Sequence, residues 1–117
     1  MSESLQPKRG EIWSVNLGPE VEGGHLVIIM SADELGTLEV RTCIPLGKRE
    51  PHHDDQFWQF PLEPDRWNSL SFKSSANTIQ IRPIATSRFL SKLGRVDADA
   101  LEDIVAVVAM NLGFRGY

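Results

Sequence analysis

One change of apolar period limits what this chain can fold into. Up to Ile84 the apolar residues alternate with polar ones or run in short blocks. From Asp99 they fall at Leu101, Ile104, Val105, Val108 and Leu112, the spacing of one helix face. "EIWSVNL", Glu11 to Leu17, predicts a strand entered through Gly10. "HLVIIMS" is a nearly continuous apolar run and predicts a strand buried on both faces. Thr37 to Leu46 alternates as a third strand. "QFWQFPL" is a short aromatic strand whose Pro61 suits an edge or an end, and "NTIQIRPI" reads as one strand through Ile79 and Ile81. "TSRFLSKLG" predicts one or two helical turns, capped by Thr86 or Ser87 and stopped at Gly94, with "RVD" as a last short strand. The final helix spans Asp99 to Leu112, with Asp99 as cap, Glu102 completing a capping-box-like pair, and Gly113 as its end. Many strands followed by one helix predict a small barrel-like sheet closed by that helix, with residues 1–117 forming a single domain.

The composition excludes several classes. The longest apolar stretches, "HLVIIM" and "IVAVVAM", are too short to span a bilayer, and the N-terminus has no apolar signal core. The single cysteine, Cys43, excludes an internal disulfide and a cysteine-based metal site, and its apolar neighbours predict burial. These features point to the cytoplasm. A net charge of −4 argues against a generic nucleic-acid binder. The charge is unevenly spread, however. From Arg66 to Arg95 there are six basic residues and no acidic one, and then Asp97, Asp99, Glu102 and Asp103 follow closely. A local basic face on an acidic protein is one reading, and a scatter of solvated charges is the other.

The stretch "EVEGGHLVII" sets two glycines and a histidine at the mouth of an apolar strand. That arrangement suits either a loop that brings backbone and His25 to a ligand or an ordinary turn. "HHDD", His52 to Asp55, holds four potential metal ligands with no supporting spacing elsewhere and reads as a solvated loop, so no metal or other cofactor is expected.

Several short stretches, in their order, carry a resemblance. "KRGEIWSVNLGP", a glycine-bearing loop into "LVIIMSA", then "QIRPIATSRF", "LGRVD" and a terminal helix resemble the MazF/PemK family of toxins, from about Lys8 to Leu112. The resemblance implies a mainly β fold with a C-terminal helix, an SH3-like small β-barrel of the MazF/CcdB kind, in a homodimer. It also implies metal-independent endoribonuclease activity on single-stranded RNA and a cognate antitoxin protein as partner. Two positions depart from the family pattern. Where the family carries an arginine followed by proline after the loop glycines, this chain has His25 and Leu26. Where it carries threonine or serine at the end of the third strand, this chain has Gly47.

Metal-free RNA cleavage by the 2′-hydroxyl needs a base for its proton, an acid for the leaving oxygen and donors for the phosphorane charge. Arginine clamps phosphate but hardly deprotonates, whereas histidine shuttles protons near neutral pH. His25 is therefore the candidate catalytic residue, keeping part of the chemistry and losing part of the clamp. Lys48 and Arg49, beside Gly47, are candidate RNA-binding cations; otherwise they are solvated loop charges. Gln80 and Arg82, two apart on one expected strand, share a face suited to base edges and phosphates, and Arg88 extends the basic stretch. Trp13 either stacks on a base or belongs to the core. Two functional readings stand: a toxin-family endoribonuclease, and the same fold with catalysis lost, serving as an RNA- or protein-binding module.

Overall fold

A computed structural model describes residues 6–18 and 25–115. The glycine loop of residues 19–24, in which Gly23 and Gly24 were expected to approach a ligand, lies outside the described residues. Among the described residues seven strands and one α-helix follow in order: β1 Glu11–Val15, β2 His25–Ile29, β3 Val40–Lys48, β4 Gln59–Leu62, β5 Ser74–Asn77, β6 Arg82–Ala85, β7 Phe89–Arg95 and α1 Ala98–Asn111. The ladders are antiparallel and run β4-β5-β3-β2-β1-β7, with β6 also paired to β3. Among the described residues no helix is long and apolar enough to cross a membrane.

The central strands follow directly from sequence. Val27, Ile28 and Ile29 are all nearly inaccessible, because β2 lies between β1 and β3 with apolar material on both faces. Ile12, Ile28, Ile44 and Leu46 pack on one face with Leu101 and Ile104 of the helix. Trp13, Val15, Val27, Ile29 and Cys43 pack on the other with Ile84 and Phe89. Trp13 is thus a core residue. Its ring meets Phe89 edge-on at 5.7 Å, and its Nε1 donates to Glu11 Oε1. β4 is an edge strand, as its Pro61 predicted.

Four expectations are corrected. The third strand begins at Val40, not Thr37, because a 3₁₀ turn at Asp33–Leu35 and the carbonyls of Gly36 and Leu38 fold around the buried Arg41 guanidinium. "NTIQIRPI" is not one strand. A 3₁₀ turn at Thr78–Gln80 separates β5 from β6, and Thr78 anchors it by donating from N and Oγ1 to Trp58 O. Along the β3 edge, β6 pairs with residues 40–43 and β5 with residues 46–48; Pro45, which has no N–H to give, falls in the gap.

"TSRFLSKLG" is helical only as a 3₁₀ turn at Thr86–Arg88. The rest is β7, drawn into the sheet by its ladder to β1 and by the burial of Phe89. Gly94 accordingly stops no helix. A Cβ there would strike the carbonyl oxygen of Trp67 and the backbone of Asn68, so glycine lets the 63–70 segment cross β7, where Arg95 N donates to Trp67 O. β4 and β7 form no ladder with each other, so the sheet curls without closing through strand pairing. Finally, the helix begins at Ala98, one residue early, and its cap lies two residues early. Asp97, not Asp99, is the cap, its Oδ1 accepting from Ala100 N at 2.9 Å. Leu101 and Ile104 are buried and Val108 packs at the core margin, whereas Val105 and Leu112 are exposed.

Glu11 ties the first strand to the last. Its carboxylate accepts from Lys8 N and Trp13 Nε1 and pairs with Lys92 Nζ at 2.9 Å. Burial by itself would raise this carboxyl's pKa. The bonds from Lys92, Lys8 and Trp13 together outweigh burial and hold it below the ordinary value of 4.5. A depressed carboxyl gives stability that is present above its unfolded pKa and is lost as pH falls through the folded one. Glu11→Gln should therefore cost about 1–2 kcal/mol at pH 7. The gap to wild type should narrow in urea melts as pH drops below 4.5. A gap that stays constant down to acid pH would show that the charge contributes nothing.

Candidate functional site

The β2–β3 ladder joins the two positions that depart from the family pattern. Leu26 faces Leu46, and one step further along the same register His25 lies level with Gly47. Gly47 in turn faces Ser75 of β5. His25 is half-buried at the start of β2, opposite Val15. Gly47 is exposed, and a Cβ built on it would meet nothing within 4 Å. Imidazole and bare backbone thus lie side by side at the surface end of a buried ladder.

Two hollows open on either side of this pair, and both are lined by His25, Leu46 and Gly47. The first, about 270 Å³, adds Lys48, Phe72 and the hydroxyl residues Ser69, Ser71 and Ser74. One cation, several hydroxyls and a half-exposed aromatic ring suit a phosphate with a base beside it. The second, about 220 Å³, adds His53, Gln59, Ser75, Asn77 and Gln80. It holds amides and imidazoles and no carboxylate, a lining that hydrogen-bonds base edges and tolerates anions. A larger hollow of about 330 Å³ lies between β4 and the helix start, lined by Glu63, Asp65, Asp97 and Asp103, and its charge repels a polyanion.

The expected site residues divide into three groups. His25, Lys48 and Gln80 line the hollows. Arg49 faces inward. Its Nη1 donates to Gln59 O and Ser75 Oγ, its Nη2 pairs with Asp54 Oδ1 at 3.0 Å, and its side chain is only 12% exposed. It braces the wall of the second hollow from behind. Arg82 and Arg88 are exposed but line neither hollow: Arg82 faces Cys43 across the β3–β6 ladder, and Arg88 Nη1 donates to Asn16 O just beyond β1. Gln80 lies in the 3₁₀ turn and Arg82 in β6, so the shared strand face expected for them does not exist. Cys43 is fully buried. Burial pushes its thiol up to about 12 against the pull of Arg41 and Arg82, which leaves it unreactive.

The sequence reading missed His53. "HHDD" is exposed, as a solvated loop is, except at His53, which the 3₁₀ turn Pro51–Asp55 sets half-buried on the wall shared with His25. The signal was present: Glu50, with Pro51 next and His53 three residues on, has the spacing of a reciprocal cap, and Glu50 N donates to His53 Nδ1. Among the described residues no three His, Cys, Asp or Glu side chains converge to hold a metal ion.

Residues 8–112 match the family model described as PemK-like, MazF-like toxin of type II toxin–antitoxin system. Solved structures share the fold. A mycobacterial endoribonuclease in complex with its cognate antitoxin is 18% identical with a TM-score of 0.74, the match covering 92% of this chain and 95% of that one. MazF in a MazE–MazF complex from Deinococcus radiodurans is 18% identical with a TM-score of 0.75, covering 94% and 99%. MazF alone from the same organism is 19% identical with a TM-score of 0.74, again covering 94% and 99%. No curated protein matches the sequence.

Proposed function

The chain belongs to the PemK-like, MazF-like toxin family of type II toxin–antitoxin systems, a family of endoribonucleases, and from that premise we propose that it cleaves single-stranded RNA at the His25–Gly47 pair without a metal ion. The carrying observation is the meeting of these two positions at the junction of two hollows, one cationic and hydroxyl-rich, the other amide-rich. The 2′-oxygen attacks phosphorus and gives its proton to the His25 ring. The bond from phosphorus to the 5′-oxygen breaks, and that oxygen takes a proton from water. The products are a 2′,3′-cyclic phosphate and a 5′-hydroxyl. Lys48 neutralises a phosphate in the first hollow, and Gln80 contacts a base in the second.

The curled sheet is read as an SH3-like barrel whose gap the 63–70 segment fills, in a single domain acting as a cytoplasmic homodimer. A cognate antitoxin is its protein partner, since relatives of the same fold are known in complex with theirs. The second reading, a binding module without catalysis, has one specific support: both the family's arginine and its hydroxyl are replaced, by His25 and Gly47.

Incubation of the purified protein with long single-stranded RNA, with and without a chelator, separates the two. Cleavage that survives chelation supports the nuclease; binding without cleavage supports the module. In either case Lys48→Ala should weaken RNA binding across sequences and lower the slope of log affinity against log salt by about 0.7, the value of one single-strand phosphate contact. The same slope in both proteins would place the backbone contacts elsewhere, with Arg82 and Arg88 as the next cations to test.

A further inference from the structure

His25 is not the only imidazole in the second hollow. His53 lines the second hollow together with it, and its setting fixes what it can do. The backbone N–H of Glu50 donates to His53 Nδ1 at 2.9 Å, so Nδ1 is an acceptor and the ring proton resides on Nε2. Protonating Nδ1 would turn that bond into a clash of two donors. The surroundings act in the same direction. Loss of hydration lowers the pKa of the ring, as do the neighbouring His52 and Arg49, and together they outweigh the opposing pull of Glu50 and Asp54. The other titratable ring in the hollow is His25. His53 is therefore a neutral N–H donor whose second nitrogen is already engaged.

The turn that carries it is held firmly. Arg49 reaches from the end of β3 to Asp54 within the turn, to Gln59 O on β4 and to Ser75 Oγ on β5, tying the 51–55 turn to two strands. A neutral donor fixed in this way is what a developing phosphorane charge requires. It also supplies a donor where the loss of an arginine at position 25 removed several.

We propose that His53 is a second imidazole of the cleavage site, a fixed Nε2–H that hydrogen-bonds a non-bridging oxygen of the scissile phosphate while His25 moves the proton. The proposal rests on the nuclease reading above. His53 transfers no proton; it binds the oxygen more strongly as charge gathers there, and Arg49 acts as a positioning residue behind it.

The test measures single-turnover cleavage of a short single-stranded RNA across pH 5–9 by wild type, His53→Ala and His53→Gln. His53→Ala should lower the rate by about 10²–10³-fold, the usual worth of one such donor. The shape of the pH profile should not change. His53→Gln, which keeps an N–H near the same place, should recover most of the loss. One diastereomer of a phosphorothioate at the scissile position should slow wild type and leave His53→Ala no slower than it already is. An unchanged rate for His53→Ala overturns the proposal, and so does a pH profile that changes shape, which would make His53 a proton carrier. If wild type cleaves nothing, the nuclease reading has failed. The contact itself is then decided by the binding of a 2′-deoxy oligonucleotide: equal affinity of wild type and His53→Ala removes it, and weaker binding by His53→Ala retains it.

Discussion

Ile104→Ala will cost about 2–5 kcal/mol of folding stability, and Leu112→Ala less than about 0.5 kcal/mol. Both residues fall on the helical stripe read from sequence, yet the structure treats them differently. Ile104 is fully buried and packs with Ile12, Ile28 and Ile44, so truncation leaves a cavity beneath the sheet. Leu112 is 81% exposed and lies at the C-terminal cap, where Gly113 turns the chain at a φ of 85°. Leu101, 6% exposed, belongs with Ile104. Urea unfolding of the two variants gives the comparison directly. A Leu112→Ala loss equal to that of Ile104→Ala would mean that the end of the helix is packed against something in solution. A negligible loss at Ile104 would mean that the helix does not close the sheet.

This difference shows where sequence patterns stop. Alternation identified β1 and most of β3, and a continuous apolar run identified β2, because side chains in the middle of a sheet must satisfy both faces and few other arrangements fit "HLVII". It failed where one polar side chain redirects the backbone. Thr78 alternates with Gln80 as a strand residue would, but its hydroxyl bonds Trp58 O and accepts from Asn111 Nδ2, a residue 33 positions away. Nothing near Thr78 in sequence announces those partners. The same holds for Phe89, Leu93 and Gly94, whose spacing mimics a short helix with a stop. The β1–β7 ladder and the crossing of Trp67 over Gly94 decide otherwise, and both are long-range. Arg41 lies in β3. It is 5% exposed and donates to the carbonyls of Pro7, Gly36, Leu38 and Val40, an arrangement that composition cannot reveal.

The candidate site was legible in sequence only as two unusual positions, not as an arrangement. His25 and Gly47 stood out in sequence only as departures from the family pattern, and it is the β2–β3 register that sets them level with each other. Arg49 was misjudged because it follows Lys48 in sequence while facing the opposite way, which is the ordinary alternation of a strand end. His53 was passed over because a cluster of polar residues in a loop carries no periodic signal, and only the cap geometry at Glu50 places its ring on the wall of the hollow.

The largest expected effect on activity belongs to His25. His25→Ala should lower the RNA cleavage rate by about 10²–10⁴-fold, the range for loss of a positioned acid or base. Wild-type cleavage should vary with pH, and the residual rate of His25→Ala should not follow the same curve. Activity should survive chelation of divalent ions in both proteins. His25→Arg is the more searching variant. It restores a forked cation for the phosphate and removes the proton shuttle. If proton transfer is the role of His25, His25→Arg alone stays slow. If the position only clamps phosphate, His25→Arg matches or exceeds wild type. Gly47→Thr completes the family pattern, and it fits sterically, because a Cβ at Gly47 meets no atom within 4 Å. A double variant that cleaves when wild type does not would identify the native chain as a binding module that has lost these two groups. Equal cleavage by wild type and His25→Ala would show that another group takes the proton, since the other residues shared by the two hollows, Leu46 and Gly47, carry no side chain able to do so.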